Sequence, residues 1–153
     1  MKAAKTLDKL RIKMIDALSQ GNDQGLSRDG MDIIVCKINK ELKILEYAGS
    51  NLPLYLVRDG KLFEYKANTM PIRMHLHNYQ SFKGIDIELK KNDNIVLATD
   101  GYADQFGQET NTKFFISKLK ELLVDISKKN LFCSKRYISG RIFTMETKQR
   151  TNR

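Results

Sequence analysis

The chain is poor in cysteine and has no long apolar run, and each shortage removes a class of protein. Cys36 sits in an apolar segment and Cys133 in a basic one, and neither belongs to a Cys-x-x-Cys motif or a Cys/His cluster. That spacing argues against a disulfide scaffold or a zinc module, and both residues read as free thiols. The longest apolar stretches, residues 33–36 and 95–98, are far shorter than a membrane span requires. Residues 7–18 interleave apolar side chains with charge, so no signal-peptide core is expected there and a cytoplasmic location is the default. A phosphate-binding glycine loop and a Gly-x-Ser-x-Gly elbow are also missing.

What is present suits one soluble domain. The 153 residues are 41% hydrophobic and 29% charged, enough for a single core and not comfortably for two. A net charge of +9 invites a nucleic-acid reading, but its distribution argues otherwise. From residue 131 onward Lys135, Arg136, Arg141, Lys148, Arg150 and Arg153 face Glu146 alone, which leaves only +4 on the rest of the chain. Lysines there alternate with acids as on a solvated face, so no nucleic-acid partner is expected.

Leu7, Leu10, Met14, Ala17 and Leu18 recur at helical spacing and predict an amphipathic helix that ends before Gly21. Residues 21–30, polar, acidic and rich in glycine, predict a loop. The period then becomes strand-like. Residues 31–38 are almost continuously apolar, as a central buried strand requires, and a short turn at Asn39-Lys40-Glu41 leads to a second strand over 42–47. Strands over 54–57 and 62–65 flank Arg58-Asp59-Gly60-Lys61, where Asp-Gly supplies the positive backbone angles of a tight hairpin turn. Residues 85–89 alternate as a half-buried strand, and a turn over 90–94 leads into an apolar strand over 95–99. A second helix follows from the stripe Phe115, Leu119, Leu122, Leu123 and Ile126, capped by Asn111 or Thr112. Beyond Asn130 neither period persists. The reading is an α+β fold with a mainly antiparallel sheet.

Chemistry concentrates after the last apolar strand. Thr99-Asp100-Gly101-Tyr102-Ala103-Asp104 puts a carboxylate at the rim of the sheet, with glycine removing the side chain that would block a ligand. Asp100 and Asp104 could share one face and form half of a site for a hard cation, which prefers oxygen donors. The same residues also fit a plain turn in which Asp caps the next segment. Asp23, Asp29 and Asp32 make a second acidic group. Asp32 opens a predicted buried strand, so it needs a partner: a backbone amide, an arginine or a metal. His75 and His77 alternate and point to opposite faces, as ordinary surface or lining residues.

Four motifs then occur in a telling order: Asp29-Gly30-Met31-Asp32-Ile33, the run from Tyr47-Ala48-Gly49-Ser50-Asn51-Leu52-Pro53 to Arg58-Asp59-Gly60, Met70-Pro71-Ile72, and Thr99-Asp100-Gly101-Tyr102-Ala103-Asp104-Gln105-Phe106-Gly107. In this order they resemble bacterial PPM-type (type 2C-like) serine phosphatases, the group of the stage II sporulation phosphatase and the stress sigma-factor regulators. The resemblance covers roughly residues 1–130. It implies a β-sandwich of mainly antiparallel strands flanked by helices, holding two Mn2+ or Mg2+ ions that activate water against phosphoserine or phosphothreonine. The substrate it implies is a phosphoprotein such as an anti-sigma-factor antagonist, and a sensor region precedes the domain in some relatives. By position Asp100 and Gly101 resemble the metal-binding pair of the family, with Asp104 and Asp32 as accessory carboxylates.

Departures from the family pattern qualify what the resemblance implies. The Asp-x-x-Gly-His-Gly region whose aspartate bridges the metals is not found, nor is the late Asp-Asp or Asp-Asn pair. The expectation is therefore an incomplete metal site and a partial domain inactive alone. Residues 131–153 are expected to form a basic irregular tail, consistent with a frameshift near Asn130. The competing reading is a non-catalytic relative that binds a phosphoprotein or a regulatory partner.

Overall fold

The computed structural model describes residues 2–19, 30–72, 80–99, 112–128 and 142–146. In chain order these form α1 (Ala3–Ser19), β1 (Ile33–Asn39), β2 (Ile44–Ser50), β3 (Leu54–Arg58), β4 (Lys61–Tyr65), β5 (Ile85–Glu88), β6 (Asn94–Ala98), α2 (Thr112–Lys128) and β7 (Ile142–Glu146). All strand pairs are antiparallel, in two sheets of order β1-β2-β5 and β4-β3-β6-β7. The expected α+β class is therefore observed. The chain divides into two compact units, residues 1–53 with 66–88 and residues 54–65 with 89–153.

In the first unit α1 lies on the β1/β2 pair. Its apolar stripe supplies buried Ala3 and Leu7 and half-buried Leu10 and Met14, which pack with Ala48, Ile72 and Phe82. Arg11 is buried among them, and its guanidinium donates to the Gln80 carbonyl at 2.9 Å and stands 5.0 Å from the Phe82 ring centroid. Asp8 turns inward beside it and accepts the Phe82 N–H at 3.0 Å. The helix and the segment at Gln80 and Phe82 are thus tied by charge-assisted bonds as well as by apolar contact.

Two expectations fail in this unit. β1 is an edge strand and only half-buried, not central; Ile33 and Val35 face the α1 cluster while Ile34, Cys36 and Ile38 are half-buried on the other side. Partial cover on both faces produces the same unbroken apolar run as full burial would. β2 occupies the centre instead, starting at Ile44 after a turn over 40–43 and running on to Ser50, with Leu42 left 65% exposed.

In the second unit the Asp-Gly hairpin forms as expected. Asp59 and Gly60 have φ of 50° and 71°, and Arg58 pairs with Lys61 across the turn. Tyr55, Val57, Val96 and Ala98 present one face to Leu119 and Leu123 of α2, while Leu54, Leu56 and Ile95 are buried on the other. Leu122 departs from its expected place in the stripe and is 40% exposed; the side chains of Phe115 and Ile126 lie outside the described residues.

β5 and β6, consecutive in the chain, join different sheets, β5 beside β2 and β6 beside β3. The link between them is governed by Asp93, which is fully buried and accepts bonds from Arg58 Nε at 2.8 Å, Arg58 Nη2 at 2.6 Å and the Lys90 N–H at 2.7 Å. That fork pins the start of β6 to the end of β3 and raises the Arg58 pKa further. The irregular reading beyond Asn130 does not hold over 142–146, where β7 pairs with β6 from Ala98↔Ile142 to Asn94↔Glu146. Five residues are too few to show a period, whereas the open side of β6 offers a row of backbone groups that favours a partner.

Removing one member of a buried ion pair leaves the other charge unpaired. Asp93→Ala is expected to lower unfolding free energy by about 3 kcal/mol, read from urea denaturation; a loss under about 1 kcal/mol would show that the fork carries little of the stability.

Candidate functional site

Three of the four sequence motifs meet in the first unit. β2 ends at Ser50, and the chain then turns through Asn51, whose φ of 58° is a left-handed conformation that asparagine tolerates better than most residues. Asn51 and Asn68 exchange backbone bonds with each other's neighbourhood: the Asn51 N–H donates to the Asn68 carbonyl at 2.9 Å, and the Asn68 N–H to the Gly49 carbonyl at 3.0 Å. The Asn68 side chain extends the crossing, donating to the Lys83 carbonyl at 3.2 Å and accepting the Lys83 N–H at 3.1 Å.

Neighbouring contacts bring in the other two segments. The buried Ser50 hydroxyl donates to the Met70 carbonyl at 2.9 Å, and Met31 and Ile72 exchange backbone bonds at 3.1 and 3.2 Å. Asn51 Nδ2 donates to Asp32 Oδ1 at 2.7 Å. Residues 31–32, 47–53 and 68–72 therefore form one polar corner built almost wholly on backbone groups.

Asp32 is exposed there, not buried as its place before an apolar strand suggested. β1 begins one residue later, so the carboxylate keeps water access, and its partner is an amide side chain in place of the backbone amide or arginine expected. Asp100, Gly101 and Asp104 lie outside the described residues, as do Asp23, Asp29, His75, His77 and Cys133. The described chain reaches Thr99, exposed and one residue past β6, just before Asp100. Among the described residues no three His, Cys, Asp or Glu side chains gather as a metal-holding group.

Sequence reasoning missed Asn68 and the role of Tyr47. The Tyr47 hydroxyl, buried, donates to the Leu52 carbonyl at 2.7 Å and closes the loop that carries Asn51. Gly49 lies under that bridge, where a Cβ would strike both the Tyr47 hydroxyl and the Leu52 carbonyl. The glycine inside an apolar strand, five residues before the next one, was the available signal of close backbone approach.

Two groups can be set aside as nucleophiles or bases near neutral pH. Burial pushes the Cys36 thiol up to about 11. Burial, with the Glu64 charge beside it, pushes the Tyr55 hydroxyl up to about 12, under the Lys120 ammonium that also bonds Glu64 at 2.8 Å.

Gly49→Ala is expected to destabilise the chain by roughly 1–3 kcal/mol, because one obstructing atom is a backbone oxygen that cannot swing away; thermal unfolding checks it. For Cys36 the folded thiol ionises above its unfolded value, so the folded form excludes the thiolate. Alkylation by iodoacetamide at about pH 8 should run at least about tenfold slower in native than in urea-unfolded chain, and equal rates would refute the shift.

Comparison with known proteins adds the fold. No family model and no curated protein matches the chain. Among solved structures, it is similar to the phosphatase domain of the cell fate determinant SpoIIE from Bacillus subtilis, at 13% identity and TM-score 0.51, over 100% of this chain and 77% of that one. A Mn-presoaked form of that domain aligns with TM-score 0.51 and 13% identity over 97% of this chain and 73% of that one. The SiaA-PP2C domain of Pseudomonas aeruginosa gives TM-score 0.54 and 16% identity, over 95% and 67%. With two antiparallel sheets and two helices in this order among its described residues, the chain has the fold of the PP2C phosphatase domains.

Proposed function

We propose that the chain is part of a metal-dependent protein phosphatase domain that acts in the cytoplasm on phosphoserine or phosphothreonine of a phosphoprotein, such as an anti-sigma-factor antagonist. The observation that carries this reading is the PP2C phosphatase fold, aligned over the whole chain with SpoIIE. The meeting of Asp32, Asn51 and residues 68–72 in one corner supports it, since those residues belong to three of the motifs grouped above.

The described residues do not by themselves fit a divalent ion: no group of three His, Cys, Asp or Glu side chains is present among them, and Asn51 bonds one of the two Asp32 oxygens. The ligands proposed are the Asp100 carboxylate and Gly101, with Asp104 and Asp32 as accessory groups. Oxygen donors of this kind suit Mn2+ or Mg2+, and one neighbour was soaked with Mn. Bound, such ions supply charge neutralisation and an activated water, which phosphate monoesters need because they hydrolyse so slowly unaided. This chain's share is positional. β6 is pinned at its start by the Arg58–Asp93 fork and leads to Thr99, the residue before Asp100 in the sequence, and the Asn51–Asp32 bond orients the described carboxylate.

The test pairs Mn2+ binding, followed by paramagnetic broadening of water relaxation, with phosphate release from a phosphoserine peptide. Asp100→Asn is expected to lower Mn2+ affinity by roughly tenfold or more, together with any Mn2+-dependent release. Phosphopeptide binding that ignores both Mn2+ and Asp100→Asn, without release of phosphate, would overturn the enzyme and identify a non-catalytic binding module.

A further inference from the structure

The outward side of α1 breaks a local rule of helix design. Lys5, Lys9 and Lys13, with Lys2 just ahead of the helix, are all exposed on the side away from the buried Ala3 and Leu7. At a spacing of four residues, the three helix lysines stand in a row about 6 Å apart, close enough for their charges to repel. No acidic residue occupies the first turn, and the Glu46 carboxylate of β2, which accepts the Ala3 N–H at 3.2 Å, answers the helix dipole there without pairing with Lys2 or Lys5. Among the described residues none of the four ammonium groups has an acidic partner. Asp8 is turned inward to Arg11 and Phe82, which leaves only Asp16, at the far end, as an exposed acid on this helix.

α2 shows that this chain does not build its helices that way as a rule. Its exposed side mixes Lys118 with Glu121 and Asp125, and its Lys120 is bonded to Glu64. A row of lysines without acidic partners sets this side of α1 apart from the exposed side of α2.

We infer that the outward side of α1 docks an acidic helical segment of a partner protein. The row is one residue wide, and carboxylates at every fourth position of a facing helix match its period. Ile12, 59% exposed beside the row, offers an apolar contact at its margin. A membrane surface fits less well, because the apolar residues a bound helix would insert, Leu7 and Leu10 among them, are already packed in the core. A nucleic acid fits less well too, since the row has neither the arginines nor the aromatic rings that grip phosphates bidentately or stack on bases. The inference uses no residue of the proposed phosphatase site and stands apart from that reading.

The probe is a fluorescein-labelled alanine-based helical peptide with glutamate at every fourth position, its binding to the full chain followed by anisotropy. Raising NaCl from about 50 to about 300 mM should weaken binding at least about tenfold. Lys9→Glu should also weaken it about tenfold or more, while Lys91→Glu, the same charge change in the turn before β6, should leave it within about twofold. The unfolding midpoint of Lys9→Glu should not fall, because the substitution replaces two like-charge neighbours with attractive ones. Equal losses for Lys9→Glu and Lys91→Glu would reduce the effect to net charge and overturn the proposal. Tighter retention by phosphatidylserine vesicles or by duplex RNA than by the peptide would overturn it in favour of those partners.

Discussion

The two-way backbone exchange between the end of β2 and Asn68 is the constraint on which the candidate corner depends. Strand pairing alone would let the chain leave Ser50 in any direction. Because the Asn51 N–H and the Gly49 carbonyl both close on Asn68, the segment 68–72 is drawn alongside, and Ser50 and Met31 can then bond to Met70 and Ile72. Gly49, Ser50 and Ile72 are buried, and leaving their polar groups without partners would cost far more than each bond contributes when made. The left-handed turn at Asn51 is held by this frame and by the Tyr47–Leu52 bridge, and it aims the Asn51 amide at Asp32.

The second unit is organised by a different force. Its α2-facing cluster of Tyr55, Val57, Val96, Ala98, Leu119 and Leu123 is apolar and non-directional, and would accept more than one strand register. The Arg58–Asp93 fork removes that freedom: a buried carboxylate with three donors has one satisfactory position. Register at the start of β6 also sets its pairing with β3 as far as Leu97.

Charge is used in three distinct ways. Arg11 and Asp8 bury their groups to tie α1 to the segment at Gln80 and Phe82. Lys120 and Glu64 pair at the surface beside Tyr55. The lysine row of α1 does neither, and in this it differs from α2, whose exposed Lys118 is accompanied by Glu121 and Asp125.

Much of this was legible from the residues alone. The 3.6-residue stripes of α1 and α2, the Asp-Gly hairpin, the alternation of β5 and the α+β class each rest on local periodicity or turn chemistry, which adjacent residues determine among themselves. The four ordered motifs point to the phosphatase fold. Tertiary structure alone decided which strand is central, that β5 and β6 part into different sheets, that residues 142–146 join β6, and that Asp32 is exposed with Asn51 as its partner. Those outcomes depend on which distant backbone groups find one another, on an asparagine crossing and a buried ion pair bridging tens of residues, and no local period encodes such a choice.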